Sequence, residues 1–206
     1  MPSLRLRMAS TWLPEWEVRS ELERVSQLTT NALISLLSGT APVSTPSVTP
    51  ALRPLVGSID DCRAAMASNH NLLVDSLIDV VGERDAISLG RRALYSIGLS
   101  IGEETRTRLG VGDGMEDLII AARVLYRVLG ITFLVRASND EFVMVVQRCA
   151  LSNWYSERTC KVLSATDEGV IRGLNPRVGM RFGQTITSGC PTCLARIWVE
   201  SGGATG

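Results

Sequence analysis

The stretch 131-ITFLVRASNDEFVMVVQRC-149 decides the fold. Two runs rich in β-branched and aliphatic residues, 131–138 and 141–149, flank Asn139 and Asp140, a pair of the type that closes a tight hairpin. Upstream, apolar residues recur at helical spacing; from Ile131 the period shortens to that of strands. Downstream, SNWYSERTCKVLSATDEGVIRGL (152–174) reads as a helix that closes at Asn175 and Pro176. Two more strand-like runs follow, VGMRFGQTIT (178–187) and CLARIWVE (193–200). The order is helices first, then ββαββ, which predicts an α+β fold: a helical layer packed on a four-stranded antiparallel sheet.

The upstream helices divide as follows. EWEVRSELERVSQLTTNALISLLSG (15–39) places Val18, Leu22, Val25, Leu28 and Leu33 at roughly helical spacing. TAPVSTPSVTPALRP (40–54) then carries four prolines among small polar residues and reads as a linker or extended strap. A second helix opens at Ser58, which with Asp61 forms a capping-box pattern. A third, 83–110, holds Gly90, Gly98 and Gly102 in its interior, which implies either a tight helix crossing or a ligand against that face. GVGDG (110–114) lacks the preceding strand and following Lys-Ser/Thr of a phosphate loop, so it reads as a turn into a helix bearing Leu118, Ala122, Leu125 and Leu129. The expected organisation is an N-terminal helix plus Pro-rich linker (1–57), one α+β domain (58–200) and a frayed tail (201–206).

Composition narrows the function classes. The 206 residues carry no net charge, and the basic side chains are arginines scattered along the chain, Lys161 being the one lysine. Nothing favours a nucleic-acid partner. No run approaches the roughly 20 apolar residues of a membrane span, and Glu15, Glu17 and Glu21 interrupt the region where a signal peptide needs an apolar core. The expectation is a cytoplasmic protein with no membrane partner, in which cysteines are buried fillers, metal ligands or catalytic thiols.

Four of the five cysteines, Cys149, Cys160, Cys190 and Cys193, fall in the last third, at strand ends, an early helical turn and a hairpin that can share one rim of the sheet. Four thiolates can bind zinc or an iron–sulfur cluster; plain burial and thiol chemistry remain alternatives. Asp167 lies about two helical turns beyond Cys160 and so faces the same side, with Glu168 beside it; either could be a general base. Arg148 and Arg196 are candidates to hold a substrate carboxylate. His70, the one histidine, sits in an Asn-His-Asn setting and reads as a surface residue, and Cys62 as packing.

The segment with Arg148-Cys149, then Cys160, then DEGVIRGLNP (167–176) and RFGQTITSGCPTC (181–193) resembles the family of L-2-amino-thiazoline-4-carboxylic acid hydrolase-like proteins, which is similar to 4-vinyl-reductase-like ligand-binding domains. The resemblance covers about residues 83–200. It implies a small-molecule cavity between helices and sheet, often with a cysteine-bound metal near its mouth. Cys149, Cys160 and Cys193 match recurrent cysteines, whereas Cys190 stands where relatives commonly have aspartate. The resemblance thus implies a metal-dependent hydrolase of a small thiazoline-type or amide-like substrate. Asp167, Glu168 and Cys190 would be catalytic, Arg148 and Asn175 substrate-binding, and Cys149, Cys160, Cys190 and Cys193 ligands to zinc or an iron–sulfur cluster. The alternative is a non-catalytic sensor or carrier module with a structural metal; a homodimer through the N-terminal helix is compatible with either.

Overall fold

The computed structural model describes residues 2–40, 50–138 and 141–200. Among these residues six α-helices precede and interrupt a four-stranded sheet: α1 (Leu4–Thr11), α2 (Glu15–Thr40), α3 (Ile59–Val81), α4 (Glu83–Leu109), α5 (Met115–Val128), β1 (Ile131–Ser138), β2 (Glu141–Cys149), α6 (Glu157–Leu174), β3 (Val178–Gln184) and β4 (Cys193–Val199). The fold is α+β, as the order of periods predicts. The expected Asn139–Asp140 turn, most of the Pro-rich stretch and the tail lie outside the described residues.

The strands pair antiparallel throughout, in the order β1-β2-β4-β3. Alternation sets which side faces inward: Met144 and Val146 on β2 sit opposite Ala195 and Cys193 on β4, and all four are buried. Those side chains, with Phe133, Met180 and Ile197, form the sheet's contribution to a core completed by α5 and α6.

The glycines of α4 make a helix crossing. A Cβ at Gly98 would fall on the carbonyl of Thr166 in α6, with the carbonyl carbon 2.8 Å away. One at Gly102 would lie 2.9 Å from Gly173, and Gly169 and Gly173 meet the α4 backbone in the same way. Only hydrogen at these positions lets two backbones come so close, and the contact locks α6 in place. Of the two readings of those glycines, the crossing is the one the structure has. The Ser58 capping box also forms: Ser58 Oγ accepts from the Asp61 amide at 3.1 Å, and Asp61 Oδ2 accepts from the Ser58 amide at 2.8 Å.

The N-terminal residues contain one helix more than their periodicity indicates. Ser3 caps α1, and Leu6 is fully buried in the main core. Farther along, α2 packs on α3 and α4, with Leu22 and Leu33 fully buried.

Candidate functional site

A cavity of about 90 Å³ lies between the inner face of the sheet and helices α2, α3, α5 and α6. The sheet supplies Ile131, Met144, Val146 and Cys193, while α6 supplies Cys160, Leu163, Ser164, Thr166 and Asp167. Val25 and Thr29 of α2, Met66 and His70 of α3, and Tyr126 of α5 close the far side, with Cys149 and Tyr155 at the junction of β2 and α6. Among its described lining residues Asp167 is the one carboxylate, and none is a lysine or arginine. Such a wall accepts an uncharged or cationic group far more readily than an anion.

Burial governs the electrostatics. It pushes the Asp167 carboxyl from its ordinary value of 3.8 up to about 7; the Tyr126 hydroxyl pulls it down in part, and the neighbouring Glu168 adds to the rise. Tyr126 lies close to Asp167 without closing a hydrogen bond of standard length and angle. The Cys149 thiol is driven up to about 12, chiefly by burial, and burial likewise raises Cys160 and Cys193. Near neutral pH all three thiols therefore keep their protons.

Cys149, Cys160 and Cys193 reach one cavity from three separate elements, but Cys190 stays in the turn before β4, 3.8 Å from Ser188 Oγ, and does not line it. Among the described residues no three His, Cys, Asp or Glu side chains converge into a group able to hold a metal ion. The four cysteines expected to hold zinc or an iron–sulfur cluster therefore do not form a converged donor set as placed, since Cys190 lies outside the cavity that the other three line.

The expected catalytic trio separates. Asp167 faces the cavity, whereas Glu168 turns to α4, where its Oε2 accepts from Arg91 Nη2 at 2.7 Å; Cys190 is outside. The expected substrate-binding pair is not at the cavity either. Arg148 is exposed and lines a different groove, with Arg63 and Arg127. Arg196 sits at an exposed position of β4. Asn175 caps α6: its Nδ2 donates to the Asp113 carbonyl at 2.9 Å, and its Oδ1 accepts from the Arg177 amide at 3.0 Å.

His70 corrects the surface reading. It is 1% exposed, its Nε2 lies 2.9 Å from Thr29 Oγ1, and its Nδ1 lies 2.8 Å from the Tyr155 hydroxyl. Burial lowers its pKa to about 4, so the ring is neutral. Both flanking asparagines also make tertiary bonds. Asn69 pairs with the backbone N–H and C=O of Arg53, at 2.8 and 2.9 Å, and Asn71 bridges the Trp154 carbonyl and the Ser156 amide, at 2.8 and 3.1 Å. The Asn-His-Asn run in a helix was the available signal, since its buried polar side chains, Asn69 and His70, each need a partner.

The sequence profile described as L-2-amino-thiazoline-4-carboxylic acid hydrolase matches residues 62–197. No curated protein sequence matches significantly. Among solved structures, the chain is similar to a trafficking protein particle complex subunit 3 from Naegleria fowleri, crystallised covalently bound to palmitic acid. That match has TM-score 0.53 and 14% identity, and covers 68% of this chain and 95% of that one. It is also similar to the phenol-responsive sensory domain of the transcription activator PoxR with phenol, at TM-score 0.50 and 17% identity, covering 82% and 90%. At these identities the likeness concerns the fold alone.

Proposed function

We propose, from the premise that this chain belongs to the L-2-amino-thiazoline-4-carboxylic acid hydrolase family, that the cavity binds a small thiazoline-type or amide-like molecule and hydrolyses it with Asp167 as the proton carrier. The observation that carries this reading is a carboxyl facing a largely apolar cavity with its pKa raised to about 7. A group tuned to ambient pH is the most effective general base and acid in turn. As carboxylate, Asp167 takes a proton from the water whose oxygen bonds to the ring C=N carbon. As the acid so formed, it returns that proton to the ring sulfur when the carbon–sulfur bond breaks, while the second proton of the water, on the hydroxyl of the tetrahedral carbon, passes to the ring nitrogen as the carbonyl forms, leaving a free thiol and an N–H amide. With no cation among the described lining residues, the buried part of the substrate is neutral or cationic, and any carboxylate stays at the mouth.

The direct test is incubation of the purified protein with L-2-amino-thiazoline-4-carboxylate, with the ring-opened product followed by NMR. Asp167→Asn should abolish turnover and retain binding by calorimetry; turnover that survives the substitution overturns the assignment.

One observation favours a second reading, a non-catalytic sensor or carrier. The cavity thiols are held protonated, Cys149 up to about 12, and most of the lining is apolar, which suits sequestration of a small molecule better than thiolate chemistry. Wild-type protein that binds the compound and never turns it over would select this reading.

A further inference from the structure

Thr29, His70 and Tyr155 form a continuous chain of hydrogen bonds from α2 through α3 to the segment before α6, and all three side chains line the cavity. The direction of the chain follows from its first member. Thr29 Oγ1 sits 2.8 Å from the Val25 carbonyl oxygen and 3.1 Å from that of Ser26. Two oxygens at 2.8 Å repel unless a proton lies between them, so the Thr29 hydroxyl proton belongs to the helix carbonyls. The hydroxyl oxygen then accepts from His70, which places the imidazole proton on Nε2. A neutral ring has one N–H, so Nδ1 is an acceptor and takes the Tyr155 phenolic proton. That assignment comes from the hydrogen-bond network. It leaves Tyr155 with its donor committed and only its oxygen lone pairs free.

We propose that this relay makes the cavity read its ligand as a hydrogen-bond donor: the Tyr155 oxygen accepts from an N–H or O–H of a small heterocycle, and isosteres offering no donor are rejected. The inference rests on the cavity being the ligand site and adds the chemical class that site takes, namely amino- or hydroxyl-bearing small rings. A locked acceptor on a residue that lines a largely apolar space discriminates because a ligand without a donor leaves it desolvated and unpaired. Tyr155 is thus a specificity-determining residue, and His70 and Thr29 are positioning residues that act through it.

The test compares 2-aminothiazole with 2-methylthiazole, in which a methyl replaces the amino group at nearly constant shape, by calorimetry at pH 7.5. Wild type should prefer the amino compound by about tenfold or more. Tyr155→Phe should erase the preference while still binding both. In parallel, imidazole ¹⁵N shifts of the wild-type protein should show His70 as the Nε2–H tautomer, a readout that needs no variant to fold. Equal affinity for both probes in wild type, or the Nδ1–H tautomer, overturns the relay. If affinity is equal and Val146→Phe, which narrows the cavity, weakens both probes, the cavity reading survives without the relay. Binding of neither probe overturns both.

Discussion

Asp167→Asn should stabilise the protein at neutral and alkaline pH. Burial lifts the Asp167 pKa from 3.8 to about 7. Between those values the folded protein holds a proton that the unfolded chain has released. More protons bound in the folded state means stability falls as pH rises through this window, then levels off above about 7. A shift of about three units, at 1.36 kcal/mol per unit, corresponds to roughly 4 kcal/mol lost in full by pH 8. Asparagine keeps the shape and has no such proton to lose. The difference between Asp167→Asn and wild type should therefore be near zero around pH 4 and grow to a few kcal/mol in favour of the variant by pH 8. Of the other groups that act on Asp167, Tyr126, Tyr155, Cys149, Cys193 and, on its own helix, Cys160 are all raised from ordinary values that already lie above this range; His70, in the same cavity with its pKa lowered to about 4, is common to both proteins and drops out of the difference. Urea unfolding at several pH values, compared as differences between the two proteins, measures the effect. A pH-independent difference, or an Asp167→Asn protein less stable than wild type at pH 8, would refute the claim that a strained carboxyl faces this cavity. If the variant is both more stable and inactive, the raised pKa is a stability cost retained for chemistry.

Gly98→Ala should destabilise by about 1 kcal/mol, since overpacking against the Thr166 carbonyl, about 2 kcal/mol, outweighs the helix-propensity gain of about 1 kcal/mol. Gly39→Ala, at a site with open space around it, should leave stability unchanged or raise it; chemical denaturation of both tests the crossing. Iodoacetamide labelling at pH 8 with peptide mapping should modify Cys190 before Cys149, because the Cys149 thiol is pushed up to about 12 inside the cavity. Equal rates at the two positions would contradict that ordering.

The sheet was legible because a two-residue period with one buried face leaves little choice of register, and the α6 crossing left its mark as glycines spaced along α4. Part of the cavity lining was legible too: Asp167 and Cys160, seven residues apart on one helix, do line the same cavity. The rest was not, for a definite reason. Helical periodicity reports which residues face inward along one element, but a polar residue on an inward face is indistinguishable from a solvated one until its partner is known. His70 has its partners 41 residues before it and 85 after it, Asn69 binds backbone 16 residues away, and Asn71 binds backbone 83 and 85 residues away. The converse error concerns Glu168, Arg148 and Asn175. They look chemical in sequence because they are polar and near the cysteines. Yet Glu168 is held by Arg91 and Asn175 by backbone, and Arg148 lines a separate groove. Several of the polar residues that look chemical in sequence therefore serve packing, while Thr29, His70, Tyr126 and Tyr155, from four separate segments, face the cavity beside Asp167. That inversion follows from the topology: the cavity lies where α2, α3, α5 and α6 meet the sheet, so its polar groups come from elements that are neighbours only after the chain has folded.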